Sequence, residues 1–344
     1  MKITFYLTHM KIAGGVRAVL EYADLLQARG HEVTIILENR NTIRRIIANL
    51  FNIKPYWFKN LRAKIIKVSN LDEHNIPNGD IIVATNWMTA ETINGYSSRV
   101  GKKFYLVQHD EGLYHGSQEK IDKIYQLPLK KMVVSKWNQD VLKKKYGQDS
   151  ELLMATPVNL NLFRSIDGLR RENELRILKL HHTAEWKGVA AGLKAFSSVK
   201  TEYPNLKLVM FGVRNKEKPA GCDEYFYDLD QKELAKLYSS CDIYICPSGY
   251  DALGMPSMEA MACKCAVVTY DTGGSQEFAF DGETAFVAKF GDFDDFVQKL
   301  KLAVTDKALR EKIAEKGYRF IRSLSWDLAA TRMEDIFETA LHSQ

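Results

Sequence analysis

The sequence predicts an α/β protein built as two doubly wound parallel sheets, and three observations carry that expectation. Short β-branched or aromatic runs alternate with helical patterns, and such alternation produces parallel sheets covered by helices on both faces. The alternation lapses in a polar, irregular stretch, "TPVNLNLFRSIDGLRREN", and then restarts. The length, 344 residues, exceeds one typical core and suits two. The first domain is therefore expected over residues 1–165 and the second over 166–325.

Each element follows in order. "ITFYL" is a run of strand formers, followed by a loop carrying Gly14 and Gly15. "VRAVLEYADLLQARG" comes next, with Val16, Val19, Leu20, Ala23, Leu25 and Leu26 on an apolar helical face. Gly30 closes that helix and "HEVTIIL" supplies the second strand. Further strands are expected at "DIIVAT", "KKFYLVQH" and "KKMVVS". After the break, "LRILKLHH", "LKLVMFG", "DIYICPS" and "AVVTY" read as strands. "KGVAAGLKAFSSVKTEY", "KELAKLYSSC" and "PSMEAMACK" read as the helices between them, Pro256 being a good first helical residue. Two such sheets facing one another would form a cleft between the carboxyl ends of their strands, where open α/β sheets bind ligands.

Composition narrows the class. With 46% hydrophobic and 26% charged residues the chain is globular, and a net charge of +5 is too mild to argue for nucleic acid. The opening "MKITFYLTH" is too short in apolar residues for a signal peptide, and no run approaches the roughly 20 residues that span a bilayer. A cytoplasmic protein is expected. Five cysteines (Cys222, Cys241, Cys246, Cys263 and Cys265) make an odd count with no C-x-x-C pair or nearby histidine, so they are expected as small buried residues. Neither a disulfide framework nor a metal site is expected.

The chemistry concentrates in "DALGMPSMEAMACKCAVVTYDTGGSQE", residues 251–277. Asp251 and Glu259 are separated by seven residues. The amides opening the helix around Met255, after Gly254, favour an anion such as a diphosphate. Glu259, expected in the first turn, could accept hydrogen bonds from a sugar's vicinal hydroxyls. Gly273 and Gly274 let backbone approach a ligand closely, with Glu277 expected at the next helix start. A nucleotide-sugar would engage all of these groups at once.

These motifs resemble the retaining glycosyltransferases of the GT-B fold, specifically the large family-4 class, glycosyl transferases group 1. That family's hallmark is a Glu-x7-Glu pattern within "EGFGxxxxEAMACGxPVV", followed by "GGxxE"; the text here is "DALGMPSMEAMACKCAVV", then "GGSQE". Gly14-Gly15 with "RGHEVTII", "VQHD", "VVSKWNQDVLKKKYG", "PVNLNLF" and "EWKG" resemble other family segments along nearly the whole chain. The resemblance implies two Rossmann-like domains facing a central cleft, with the C-terminal helix 326–344 crossing back to complete the first. It implies metal-independent, retaining transfer of a sugar from a nucleoside diphosphate, UDP by family frequency, to a glycan or lipid-linked acceptor. Glu259 would hold the ribose and Asp251 would face the donor sugar. Lys187 would neutralise the departing diphosphate, Gly15 would approach the diphosphate and acceptor side, and His109 would lie near the transferred sugar. Two positions depart from the family: Asp251 replaces its first Glu, and His182 replaces the Arg five residues before the clamp lysine. No Gly-x-Gly-x-x-Gly stretch supports a dinucleotide fold instead. The alternatives are a nucleotide-sugar epimerase on the same fold and a non-catalytic nucleotide-sugar-binding subunit.

One segment lies outside this constellation. Residues 40–67 hold Arg40, Arg44, Arg45, Lys54, Lys59, Arg62, Lys64 and Lys67 with no acidic residue, interleaved with Phe51, Tyr56, Trp57 and Phe58. Basic residues beside bulky aromatics suit an anionic membrane surface and peripheral attachment to it. The competing expectation is a solvated, partly buried helix pair beside the sheet. At the other end, Leu328, Ala329, Met333, Ile336, Phe337 and Ala340 have helical spacing.

Overall fold

A computed structural model describes residues 1–113, 117–171, 173–213 and 215–343. The chain divides into two compact units, Met1–Thr156 with Trp326–Gln344, and Pro157–Ser325. Residues 157–165, expected with the first domain, go with the second. The reason is burial: Phe163 is fully buried edge-on to Tyr238, and Ser239 donates to the Arg164 carbonyl.

The strands of the first unit are β1 (Lys2–Tyr6), β2 (Glu32–Glu38), β3 (Lys64–Val68), β4 (Ile81–Ala84), β5 (Lys102–Val107), β6 (Lys130–Val133) and β7 (Glu151–Leu152). Among the described residues they form one sheet in the order β3-β2-β1-β4-β5-β6-β7, every pairing parallel. Its helices are α1 (Gly14–Ala28), α2 (Thr42–Leu50), α3 (Trp87–Asn94), α4 (Gln118–Tyr125) and α5 (Lys136–Tyr146). The second unit has β8 (Leu175–Leu180), β9 (Leu206–Gly212), β10 (Glu224–Tyr227), β11 (Ile243–Cys246), β12 (Ala266–Tyr270) and β13 (Phe286–Ala288), in the parallel order β10-β9-β8-β11-β12-β13. Helices α6 (Val189–Lys200), α7 (Gln231–Ser239), α8 (Met255–Ala262), α9 (Phe293–Thr305) and α10 (Lys307–Ser323) belong to it. The last helix, α11 (Trp326–His342), returns to the first unit.

Alternation along each strand assigns the layers. Ile3 and Phe5 of β1 join Ile35, Ile65, Val83 and Phe104 in the core under α1 and α11. Tyr6, Ile36, Ile82 and Tyr105 point to the opposite face, under α3, α4 and α5. α11 is bound to the first unit by the edge-on contacts of Trp326 with Tyr22 and Phe337 with Phe104, and by Glu334, which bridges Arg29 and His31 at 2.6 Å each. Each fully buried large side chain of this kind is worth roughly 1.5–3 kcal/mol. Leu328, grouped with the buried face by spacing, is instead exposed, and Ala330 takes its place in the core.

The expected helix pair within 40–67 is one helix and an edge strand. α2 stops at Leu50, Asn52 turns the chain at a φ of 45°, and Pro55 prevents the helix from resuming. Lys64–Val68 then pairs with β2, with Ile65 and Val68 buried. The five cysteines are free; four are buried and Cys246 is half-buried. None of the described helices is long and apolar enough to cross a membrane.

Candidate active site

In the second sheet the strand order reverses between β8 and β11. Loops leaving the carboxyl ends of two such neighbours run to opposite faces and open a ligand crevice between them. The loop after β8 carries Lys187 at the end of a single 3-10 turn, Glu185–Lys187. Gly188 follows at a φ of 60°, where a Cβ would lie 1.9 Å from the Pro247 carbonyl oxygen, so the turn demands glycine on both conformation and space. Gly249 donates to the Trp186 carbonyl at 2.7 Å, joining this loop to the one after β11. The junction brings the Lys187 ammonium onto the Asp251 carboxylate as a short ion pair. Burial opposes the charge on Lys187, but the adjacent Asp251 outweighs it and holds the ammonium pKa above its ordinary value. Lys187 is therefore a cation at neutral pH.

A third loop joins the same place. Asp251 and Gly273 form a parallel bridge, which ties the loop after β12 to the loop after β11. A Cβ on Gly274 would lie 2.1 Å from the Ala252 carbonyl oxygen and 2.4 Å from that of Asp251. Both partners are backbone and cannot swing aside. We expect Gly274→Ala to separate the two loops, lowering thermal stability by roughly 1–3 kcal/mol and abolishing nucleotide binding in calorimetry. Gly15→Ala in the first unit should fold normally, because the atoms nearest its new Cβ belong to the flexible Gln108 side chain, at 2.8 Å.

α8 starts at Met255 behind Gly254, whose left-handed conformation and missing side chain leave the helix start without a side-chain cap. That geometry favours an anion over a capping residue. Glu259 is the fifth residue of α8, so it lies in the second turn and not the first. The displacement buries it: Glu259 is 7% exposed and its Oε2 accepts a hydrogen bond from the Tyr238 hydroxyl at 3.2 Å. Burial first, then the charges around them, push the Tyr238 and Tyr244 hydroxyls well above their ordinary pKa; Glu259 acts on both, Asp251 on Tyr244. Glu277 ends the 3-10 turn Gly274–Glu277 and does not open a helix. Phe278 follows that turn and is buried, its ring within 3.4 Å of where a Cβ on Gly254 would be, and the next helix waits until Phe293.

His182 stands at the end of β8, with Nδ1 accepting the Ala184 N–H at 2.9 Å. The ring proton of the neutral imidazole is then on Nε2, so His182 has one N–H to offer where an arginine would have several. The neighbouring His181 is held toward its neutral form by burial, and next by Lys179.

Lys179 is the buried cation beside this site that sequence reasoning missed. It lies inside β8, 2% exposed, with its ammonium donating to the Lys187 carbonyl at 3.4 Å. Its stem occupies the space beside Gly192 of α6, where a Cβ would come within 2.5 Å of it. Burial pulls its pKa down to about 8, Cys246 and Asp251 raising it and Lys187 lowering it further. The signal was available: a lysine within a strand whose neighbours on both faces are apolar. Since that depressed pKa is a cost fully present below it and relieved only toward the ordinary lysine value, Lys179→Met should stabilise the protein by about 1–3 kcal/mol at neutral pH. Because the same change removes a cation under the Lys187 turn, it should weaken UDP binding; thermal melts and calorimetry on one preparation test both.

The remaining candidates belong to the first unit. Gly14 and Gly15 open α1, behind an Ala13 with no side-chain cap, and the Gln108 side chain lies over Gly15. His109, the next residue, is half-buried, and its carbonyl accepts the Tyr125 hydroxyl at 3.4 Å. Beyond it, Glu111 is buried against the Tyr105 hydroxyl at 2.5 Å and the Trp87 N–H at 2.8 Å, its pKa pushed up to about 7 mainly by burial. A pocket of about 270 Å³ opens at the carboxyl ends of β1 and β2, lined among others by His9, Glu38, Asn39, Lys54, Trp57 and Lys67. Trp57 is fixed there by its indole N–H, which donates to the Met10 carbonyl at 3.1 Å.

Residues 165–320 match glycosyl transferases group 1. The capsular polysaccharide biosynthesis glycosyltransferase CapM of Staphylococcus aureus is 22% identical over 165 residues, which are 45% of this chain and 43% of CapM. The match thus spans less than half of that relative's length. Among solved structures, sucrose-phosphate synthase from Thermosynechococcus elongatus aligns over 100% of both chains at a TM-score of 0.79 and 14% identity. HepE of Anabaena, solved with UDP-glucose, aligns over 99% of both at 0.76 and 15%. Residues 165–320 thus match the glycosyl transferases group 1 family, and the chain as a whole has the two-unit α/β fold of the GT-B glycosyltransferases.

Proposed function

We propose that this protein is a retaining, metal-independent glycosyltransferase that moves a sugar from a nucleoside diphosphate, UDP by preference, to a glycan or lipid-linked acceptor in surface polysaccharide synthesis. The observation that carries the reading is the Lys187–Asp251 pair at the sheet's reversal point, bordered by the start of α8 that no side chain caps. A diphosphate there meets a lysine cation and free helix-start geometry together. Glu259 stands one turn further along α8, held there by the Tyr238 hydroxyl of α7, a reach that suits the ribose. HepE, of the same fold, was solved with UDP-glucose, and CapM is named for capsular polysaccharide biosynthesis. These support the donor and the acceptor class respectively.

In the transfer, the bond between the anomeric carbon and the β-phosphate oxygen breaks as the acceptor hydroxyl attacks from the same face. Its proton passes to the leaving diphosphate, whose charge Lys187 neutralises. The first-unit pocket with Glu38, Asn39 and Trp57 is the site we assign to the acceptor sugar. Peripheral membrane attachment fits a lipid-linked acceptor.

Calorimetry with UDP, GDP, dTDP and their sugar conjugates in the presence of a chelator tests the donor. The reading expects UDP to bind best and UDP-sugar to be slowly hydrolysed without acceptor. Tight UDP binding with neither hydrolysis nor transfer to acceptor extracts would identify a non-catalytic donor-binding subunit instead. Turnover of UDP-sugar to an isomer without acceptor would identify an epimerase.

A further inference from the structure

Helix α2 is mounted with its apolar side outward. Ile43, Ile46, Ile47 and Leu50 recur at i, i+3, i+4 and i+7, the spacing of a buried stripe. Yet Ile43 is 72% exposed, Ile46 59% and Leu50 74%, and the stripe continues into Phe51 at 70%. The opposite face docks by polar contacts. Asn49 both donates to the carbonyl and accepts from the N–H of Lys67, each at 2.8 Å. Asn52 accepts the Ile65 N–H at 3.1 Å, and Arg45 donates to the Asn39 carbonyl at 3.1 Å. Only Ala48 of the helix is buried. These asparagines bond the Ile65 N–H and both backbone groups of Lys67 on the outer edge of β3, the last strand of its sheet, so the helix covers an edge without using its apolar face.

The segment that carries this face is positively charged. Arg40, Arg44, Lys59 and Lys64 are exposed, Arg40 alone of these four pairing with an acid among the described residues, Glu38 at 2.5 Å, and no acidic residue occurs between residues 40 and 67. A second copy of this chain would bring the same cations against one another in a two-fold contact, which disfavours it as the occupant. Anionic lipid satisfies both properties, with the aliphatic stripe at the acyl boundary and the basic residues among headgroups.

We propose that α2 and the Phe51 turn form an in-plane docking element for an anionic bilayer. Resting on the lipid-linked acceptor reading above, it gives that reading a geometry. Ile53 and Tyr56, also exposed, line the mouth of the pocket assigned to the acceptor sugar, so a headgroup sugar would enter from the membrane side.

The test is flotation of the full chain with vesicles of phosphatidylcholine alone or with about a third phosphatidylglycerol, at low and high salt. The inference expects flotation with the anionic vesicles only, weakened by salt. The variant Ile43→Ser, Ile46→Ser, Leu50→Ser and Phe51→Ser should bind them about tenfold more weakly while keeping its circular dichroism, since these side chains are exposed. Absence of flotation, equal flotation with both vesicles, or unchanged flotation of the variant overturns it. So does a dimer, lost in the variant, in a wild type that does not float: the face then belongs to a second copy. UDP calorimetry on the same preparations separates this inference from the donor assignment, because α2 lies in the other unit.

Discussion

Lys187→Ala should lower the rate of sugar transfer by about 10²–10³-fold, the cost of removing one preorganised charge from a developing anion. The expected loss has two origins that can be separated. In wild type the Lys187 ammonium neutralises Asp251, and on the proposed reading an incoming diphosphate would share it. Without the lysine, Asp251 stays as an unpaired, largely buried carboxylate facing an incoming anion, so binding suffers along with catalysis. Lys187→Ala with Asp251→Asn should recover much of the UDP affinity and little of the rate, which steady-state kinetics and calorimetry together will show. If the double variant recovers both, Lys187 acts only on Asp251 and not on the leaving group. The pair should hold throughout neutral pH. A lysine pKa raised on folding contributes stability that is fully present below the ordinary lysine value and lost only as pH rises through the raised one.

If Glu259 holds the ribose as proposed, Glu259→Ala should raise the UDP dissociation constant by about 10- to 100-fold, because hydrogen bonds to a charged acceptor are worth about 1.5–3 kcal/mol. The site is already arranged around that carboxylate: the Tyr238 hydroxyl donates to one of its oxygens, and Tyr238 is itself fully buried. Tyr238→Phe should therefore weaken UDP binding less than tenfold, by loosening the carboxylate without removing it. Affinity for free phosphate or diphosphate should be unchanged in Glu259→Ala, since those ligands lack the ribose. Unchanged UDP affinity would move the nucleotide away from α8.

Much of this was legible before any coordinates. The β9 run "LKLVMFG" and the β12 run "AVVTY" carry boundaries that the structure repeats, since both are interior strands whose apolar character changes abruptly at their ends. β7, β10 and β13, of two to four residues, went unread because they carry too few residues to set a period. β3 was hidden by its lysines, Lys64 and Lys67, which break up the apolar run of an edge strand. At the site, Asp251, Glu259, Gly273, Gly274 and Lys187 were each visible as residues with a chemical use. The grouping of Asp251, Glu259, Gly273 and Gly274 followed from their closeness in the sequence, whereas Lys187 joined them only through resemblance.

The amino-acid sequence by itself determined the alternation of strands and helices, the glycines where backbone would approach, and the acids and lysine available to a nucleotide-sugar. Those properties are local, set by side-chain shape and by periods of two and 3.6 residues. Tertiary structure alone decided that Lys187, 64 residues from Asp251 along the chain, is its ion-pair partner. It also seated Lys179 beneath them through a missing side chain on α6, and it turned the apolar stripe of α2 outward. The physical reason is common to all three. Each depends on which strands lie side by side and which edge is left open, a property of the assembled sheet that no window of residues contains.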